Sequence, residues 1–198
     1  RADLRLVSCH LGAGASLAAI SAGVSRDTTM GFTPLECLVM ATRAGSVDPG
    51  LLLWLETAHG LSAAELGDAL EHRSGLLALA GTADMREVVA GAESGLAPAR
   101  LALDVYIHRL RAHIAAMAAA LGGIDALVFT GGIGENGAAV RAEAVAGLGF
   151  LGLALDAERN LSATPDSDLS AASAKAMTLV VAAREDLQML REVRGLLQ

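Results

Sequence analysis

The sequence predicts a single α/β domain. Short apolar runs with the length of strands alternate with longer segments that begin at helix-capping residues. Apolar residues make up 53% of the 198 residues but aromatic residues only 3%, so the core has to be built from Ala, Leu, Val and Ile. A chain of this length is sufficient for one sizeable hydrophobic core and too short for two full domains.

Strands are predicted wherever a short apolar run is bounded by turn residues. Residues 4–9 and 16–21 flank Gly12-Ala13-Gly14, which indicates a strand, a glycine turn and a second strand, and a third strand is expected after Gly23. Further strands are expected at residues 126–130, 150–155 and 177–183.

Helices are predicted from capping residues and from apolar spacing. Thr33-Pro34-Leu35-Glu36 combines an N-cap, a first-turn proline and a capping-box glutamate, which predicts a helix to about residue 41. Asp48-Pro49 and Ser62 to Glu65 predict two more helix starts, with Gly60 ending the first helix. The remaining helices are expected at residues 98–121, 138–148 and 185–197, and residues 156–176 are expected to be a surface loop with a short helix.

Composition also excludes several classes of function. The net charge is −7 and the basic residues are scattered, so the chain lacks the basic patch of a nucleic-acid-binding protein. Cys9 and Cys37 have neither disulfide-framework nor zinc-site spacing, which indicates reduced thiols. Residues 6–25 carry no charged side chain, but three glycines, four serines and His10 argue against a membrane span.

Two glycine-containing segments are candidates for binding an anion. Gly131-Gly132-Ile133-Gly134 is predicted to be a loop between a buried strand and a helix, where backbone N–H groups are accessible to a ligand. Its spacing is neither that of a Walker A loop nor that of a dinucleotide-binding loop, and a plain strand-to-helix turn is the alternative. His10-Leu11-Gly12-Ala13-Gly14 is predicted to be a hairpin whose backbone can approach phosphates, although a histidine beside a strand is more often structural.

Arg43 is the candidate for stabilising charge on a transferred phosphoryl group. The fork of donors on a guanidinium matches phosphoryl oxygens, and the small residues around Arg43 leave it accessible. Taken alone, a solvated surface arginine is the more common explanation.

Together these segments resemble the acetate kinase family. One signature is made up of residues 10–14, Asp27-Thr28-Thr29-Met30-Gly31-Phe32-Thr33-Pro34-Leu35-Glu36, Leu38-Val39-Met40, Thr42-Arg43 and Asp48-Pro49-Gly50. A later one is made up of Phe129-Thr130-Gly131-Gly132-Ile133-Gly134-Glu135-Asn136, Val140-Arg141 and Leu148-Gly149-Phe150-Leu151-Gly152. The order and spacing of both agree with the family over essentially the whole chain.

The resemblance implies a fold and an activity. It implies a ribonuclease H-like domain of the acetate and sugar kinase, heat-shock protein 70 and actin superfamily, with a mixed sheet flanked by helices. Residues 1–184 are expected to form the C-terminal nucleotide-binding domain, and residues 185–198 a helix that packs toward an N-terminal domain. The implied reaction is reversible, Mg²⁺-dependent phosphoryl transfer from ATP to acetate, giving acetyl phosphate and ADP, in a cytoplasmic homodimer joined through this domain.

The resemblance also assigns roles to individual residues. Arg43 matches the arginine that stabilises the transition state, and Glu185 the glutamate associated with Mg²⁺. The residues expected to bind nucleotide are His10, Leu11, Gly12, Ala13, Gly14, Asp84, Met85, Arg86, Gly132, Ile133, Gly134, Glu135 and Asn136.

Two residues depart from the family pattern. Ala13 stands where the family usually has Asn, which removes one phosphate contact, and Arg184 replaces a small polar residue and is expected to compete with Mg²⁺ for Glu185. The family's catalytic aspartate and its acetate-side arginine belong to sequence that precedes Arg1, so the chain alone is not expected to turn over acetate. The alternatives are a propionate or butyrate kinase, or a noncatalytic nucleotide-binding or dimerisation module.

Overall fold

A six-stranded mixed sheet forms the centre of the computed structural model, which describes residues 3–197. The strands are β1 Arg5–Leu11, β2 Ala15–Ser21, β3 Val24–Thr28, β4 Ala126–Thr130, β5 Ser167–Asp168 and β6 Met177–Val180. The strand order is β3-β2-β1-β4-β6-β5, with β1 to β3 antiparallel, β4 and β6 parallel to β1, and β5 antiparallel to β6. Because β1, β4 and β6 run in the same direction, their carboxyl ends meet at one edge of the sheet.

The burial pattern of each strand follows its place in the sheet. In β1, Val7, Cys9 and Leu11 are buried and alternate with partly exposed residues, as expected for a strand with one packed face. β4 lies between β1 and β6 and is buried from Ala126 to Phe129. The predicted strands at residues 4–9, 16–21 and 126–130, and the one after Gly23, are confirmed.

Helices flank the sheet. They are α1 Pro49–His59, α2 Ala63–His72, α3 Gly75–Ala80, α4 Met85–Glu93, α5 Ala97–Ala120, α6 Gly131–Asn136, α7 Ala138–Ala146, α8 Ala157–Leu161 and α9 Glu185–Leu196. Two of them, α1 and α2, begin at capping residues that the sequence predicts. Asp48 caps α1 through the backbone N–H of Gly50, Gly60 ends it in the left-handed conformation, and Ser62 and Glu65 form the expected capping box of α2.

Helix α5 supplies the central part of the hydrophobic core. It contacts β1, β2, α3, α4 and α7. Its inward face has the predicted apolar spacing, with buried residues Leu103, Tyr106, Ile107, Leu110, Ile114 and Met117. The prediction of a long helix over residues 98–121 is therefore confirmed to within one residue at each end.

The helix predicted over residues 34–41 is wrong, because this segment forms turns and bends. Cys37 has a φ of 87°, which no residue of a right-handed helix adopts. The four residues from Cys37 to Met40 are all buried, whereas a surface helix would bury only one face. Instead, the carbonyl of Met40 accepts a hydrogen bond from Leu76 at the start of α3, so tertiary contacts override the capping signals.

The strand predicted over residues 150–155 is also wrong. Gly149–Leu151 forms one turn of 3-10 helix, and Gly152 follows it with a φ of 82°. Leu153 and Leu155 make only isolated bridges, with Ala176 and Ser170 respectively. Residues 156–176 contain the short helix α8 as expected.

None of the helices within residues 3–197 combines the length and hydrophobicity that crossing a membrane would need. Cys9 and Cys37 are both buried free thiols. Burial raises the pKa of the Cys9 thiol far above its ordinary value, so this residue is a small apolar core side chain.

Candidate active site

The predicted hairpin lies at the carboxyl edge of the sheet. His10 and Leu11 end β1, and the turn that follows is closed by a hydrogen bond from the N–H of Gly12 to the carbonyl of Gly14, 2.8 Å long. In the parallel pairing of β1 with β4, His10 is opposite Thr130. The hairpin therefore lies beside the point where β4 ends and the glycine segment begins.

The glycine segment was predicted to be a loop. This prediction is wrong, because its residues form the helix α6. Gly131 begins this helix with a φ of 79°, and a Cβ atom there would lie 2.8 Å from the carbonyl oxygen of Leu11 and 3.2 Å from Cε1 of His10. A Cβ atom on Gly134 would lie 3.3 Å from the backbone of Phe129. Glycine at these positions therefore lets α6 lie directly against the ends of β1 and β4.

We expect Gly131→Ala to lower the free energy of unfolding by about 2–3 kcal/mol, since alanine pays both a left-handed backbone penalty and a backbone clash. The matched control is Gly132→Ala, because a Cβ atom on Gly132 meets nothing within 4 Å. Urea titrations followed by circular dichroism would measure both. Equal stability of the two variants would contradict the packing of α6 against β1.

Arg43 lies next to the hairpin. A Cβ atom on Gly14 would be 3.5 Å from Nη1 of Arg43, and the N–H of Ala41 donates to the carbonyl of Ala13. Nη2 of Arg43 lies 3.6 Å from Oε1 of Glu71, and 29% of the side chain is exposed. The structure thus brings Arg43 to residues 10–14, with its guanidinium still partly accessible.

Glu185 also reaches the hairpin. It is the first residue of α9, and its Oε1 lies 3.8 Å from Nε2 of His10, with most of its side chain exposed. Arg184 was expected to compete for Glu185, but it forms an ion pair with Asp166 instead. Nη1 of Arg184 lies 3.1 Å from Oδ1 of Asp166. The Arg184 guanidinium lowers the pKa of the Asp166 carboxyl.

Glu135 and Asn136 make internal hydrogen bonds. Oε1 of Glu135 accepts from the N–H of Gly131 at 3.0 Å and from the N–H of Ala183 at 2.9 Å. The exposed amide of Asn136 donates to the carbonyl of Gly132. Both residues thus stabilise α6 itself.

Sequence reasoning missed the role of Arg141, although Val140-Arg141 was part of the recognised signature. Arg141 lies in α7 and is only 1% exposed. It donates to the carbonyls of Gly134 and Glu135 at 2.8 Å each, and to both the side chain and the carbonyl of Asn160. Burial lowers its pKa, because desolvation penalises the charged form. Arg141 therefore holds the carboxyl half of α6 from inside the protein.

Asp84, Met85 and Arg86 begin helix α4. Asp84 is the N-cap and accepts from the N–H of Arg86, Met85 is buried, and the guanidinium of Arg86 is 91% exposed while bonded to Asp84. This helix packs against α5 and α3. The structure shows an exposed Arg86 held in place by Asp84, and its contact with an adenosine stays a prediction.

The ion pair between Asp84 and Arg86 predicts that the stability of the fold depends on pH. Hydrogen bonds from the Arg86 side chain and backbone lower the pKa of Asp84 from 3.8 to about 2. Because the pKa of Asp84 is lower in the folded state, the ionised carboxylate stabilises the fold. This stabilisation is fully present above about pH 4 and is lost as the pH falls toward about 2. The stability difference between wild type and Asp84→Asn should therefore shrink over that range, and a difference that stays constant down to pH 2 would contradict the pairing.

The strand order and the packing of α6 beside the β1–β2 hairpin define the class of this domain. It is an α/β domain of the ribonuclease H-like kind found in the acetate and sugar kinase, heat-shock protein 70 and actin superfamily. Residues 1–191 match the family described as the Acetokinase family, and the chain belongs to that family.

Individual relatives agree with this assignment. The chain is 51% identical to the acetate kinase of Gloeobacter violaceus over 192 residues, which cover 96% of this chain and 47% of that protein. It is 50% identical to the acetate kinase of Leifsonia xyli over 191 residues, covering 96% and 48% respectively. The chain spans about half the length of the curated relatives it matches.

Solved structures show the same fold. The acetate kinase of Porphyromonas gingivalis superposes with a TM-score of 0.93 at 36% identity, over 100% of this chain and 50% of that one. A propionate kinase from Francisella tularensis superposes with a TM-score of 0.89 at 36% identity, over 94% and 48%. These superpositions confirm the predicted fold class.

Proposed function

We propose that this chain is the C-terminal, nucleotide-binding half of an acetate kinase, which transfers a phosphoryl group reversibly from ATP to acetate. In this proposal residues 1–184 belong to the nucleotide-binding domain, and helix α9, Glu185–Leu196, would pack toward an N-terminal domain. The observation that carries the proposal is the convergence of Arg43, Glu185 and the glycine helix on the His10 hairpin. Relatives at about 50% identity that are named acetate kinase support the choice of reaction.

The hairpin and α6 are suited to hold the phosphates of ATP or ADP. Residues 12–14 carry nothing larger than a methyl group, so phosphate oxygens can approach the backbone closely. His10 adds a ring nitrogen on the same edge of the sheet. Gly132, Ile133 and Asn136 lie on the neighbouring helix, where Gly132 is open to a ligand. Asp84, Met85 and Arg86 would line the adenosine side.

Arg43 supplies the positive charge next to the phosphates. Phosphoryl transfer needs little covalent assistance from a protein, so positioning and neutralisation of the developing charge dominate. The planar guanidinium can donate two parallel hydrogen bonds to phosphoryl oxygens. Glu71, 3.6 Å away, orients Arg43 without enclosing it.

Glu185 is the residue that would hold Mg²⁺, which neutralises phosphate charge when bound. Residues 3–197 contain no group of three His, Cys, Asp or Glu side chains arranged to bind a metal. A single carboxylate nevertheless fits Mg²⁺, because this ion is commonly held by one or two carboxylates together with phosphates and water. The exposed Glu185 carboxylate lies on the hairpin side of α9, as its 3.8 Å approach to His10 shows.

Titration calorimetry with ADP and MgCl₂ tests the nucleotide site. We expect saturable binding by the chain. We expect roughly twofold to tenfold tighter binding by Ala13→Asn, because this substitution restores one neutral hydrogen bond to the phosphates. Ala22→Asn is the matched control, since it places the same side chain in the β2–β3 turn at the opposite edge of the sheet. Absence of binding by both wild type and Ala13→Asn would reject the proposed site.

A propionate or butyrate kinase is the second candidate, because a propionate kinase superposes almost as well as an acetate kinase. Both candidates use the same nucleotide side and differ at the carboxylate pocket. Rates of acyl phosphate formation by the full-length protein with acetate, propionate and butyrate would separate them. No transfer to any of the three would favour a noncatalytic nucleotide-binding or dimerisation module.

We further propose a cytoplasmic homodimer joined through this domain. Helix α1 has no buried residue and exposes Leu51, Leu53 and Trp54, which suits a subunit contact. Helix α9 likewise exposes Leu187, Leu190 and Val193, which suits packing against an N-terminal domain. Sedimentation of wild type and Trp54→Glu would test the dimer. An unchanged dimer in the variant would place the contact elsewhere.

A further inference from the structure

The linker between β6 and α9, residues 181–184, is bound by three separate segments of the protein. The N–H of Val181 donates to the carbonyl of Phe129 and continues the pairing with β4. The next amide, that of Ala182, donates to Oδ1 of Asp166 at 3.3 Å, and that of Ala183 donates to Oε1 of Glu135 at 2.9 Å. Each successive amide therefore has a different acceptor, immediately before Glu185.

Glu135 connects this linker to the glycine helix. The same carboxylate oxygen that accepts from Ala183 also accepts from the N–H of Gly131, the first residue of α6. Glu135 and Ala183 are 48 positions apart in the sequence. One side chain thus ties the nucleotide-side helix to the segment that carries Glu185.

Asp166 holds the linker through a second carboxylate. Besides the amide of Ala182, Asp166 binds the guanidinium of Arg184 in an ion pair. This pairing directs the Arg184 side chain to Asp166, while the adjacent Glu185 approaches His10. The two neighbouring side chains therefore have separate partners, and the start of α9 is held through both Glu135 and Asp166.

We propose that Glu135 and Asp166 are positioning residues that hold the 181–184 linker and thereby place Glu185 opposite the His10 hairpin. In this role Glu135 acts through the backbone N–H groups of Gly131 and Ala183. The role in metal binding rests on the proposed function, because it concerns the carboxylate assigned to Mg²⁺. The consequence is a coupling between Mg²⁺ and nucleotide that depends on the side chains of Glu135 and Asp166.

The coupling is measured as the ratio of two dissociation constants for ADP, one without Mg²⁺ and one with it. In Asp166→Ala and Glu135→Ala we expect this ratio to fall at least about fivefold. Fivefold is the lower end of the range by which one bound ligand commonly changes the affinity for another. Glu135→Gln, which keeps an acceptor oxygen, should recover part of the ratio. A merely structural role would weaken ADP binding equally with and without Mg²⁺. Glu93→Ala, exposed on α4, is the control.

An unchanged ratio in both alanine variants would overturn the proposal. The linker bonds can also be tested without a ligand, by measuring amide exchange with water in the chain by NMR. We expect the amide of Ala183 to exchange about tenfold faster in Glu135→Ala, and that of Ala182 in Asp166→Ala, with β4 unaffected. Exchange at wild-type rates would reject the linker contacts. If wild type fails to bind ADP, the proposed function fails, and the exchange rates still decide whether these contacts hold the linker.

Discussion

Replacing Arg43 by alanine in the full-length enzyme is expected to lower kcat by roughly 10³-fold or more, the scale of catalytic arginines in phosphoryl transfer. The guanidinium lies beside the Gly14 end of the hairpin, where the transferred phosphoryl group would sit. The affinity for ADP should change much less than kcat, because the role proposed for Arg43 is to stabilise charge that develops only in the transition state.

Arg73→Ala is the matched control for this variant. Arg73 is an exposed arginine at the end of α2 and pairs with Asp68, 2.7 Å away, so its loss removes one positive charge from the surface. Steady-state assays in both reaction directions would compare the two variants. A loss below tenfold in Arg43→Ala, or an equal loss in Arg73→Ala, would make Arg43 an ordinary surface residue.

Arg141→Ala is expected to lower the free energy of unfolding by about 3–5 kcal/mol, the range for breaking a buried, charged hydrogen-bond network. The substitution leaves the carbonyls of Gly134, Glu135 and Asn160 without their donor and opens a cavity beneath α7. Arg141→Lys should recover only part of this loss, because an ammonium cannot reproduce the fork of donors.

Urea unfolding of the chain would measure these changes. Arg191→Ala on the exposed face of α9 is the control and should stay within about 0.5 kcal/mol of wild type. A loss below 1 kcal/mol in Arg141→Ala would show that water or a local shift satisfies these carbonyls. The account of α6 as a helix fixed from inside the protein would then be wrong.

Most elements of the fold were predictable because their signals are local. The capping box at Ser62 and Glu65, the cap at Asp48 and the apolar face of α5 depend on residues a few positions apart. The segment 34–41 shows where local signals fail. Its capping pattern predicts a helix, but burial of four consecutive residues and the contact with α3 enforce an irregular backbone.

The candidate site was only partly predictable, because several of its contacts join residues that are far apart in the sequence. The family pattern pointed to His10, Arg43 and Glu185, and the structure brings these three residues to the same hairpin. The internal bonds of Glu135 and Arg141 could not be predicted from spacing, because their partners at Ala183 and Asn160 lie 48 and 19 positions away. The available signals for Arg141 were its place in the family signature and its charge on the apolar side of a predicted helix.

A crystal structure of this chain grown with ADP and MgCl₂ tests the central claim most directly. The account predicts that the phosphates lie against residues 10–14 and that the nucleoside runs along α6 toward Arg86, with the metal beside Glu185. ADP bound elsewhere would contradict it, for example in the apolar groove of about 540 Å³ that Ala142, Leu155 and Leu161 help to line between α7 and α8. A structure without bound ADP at saturating concentration would contradict it as well.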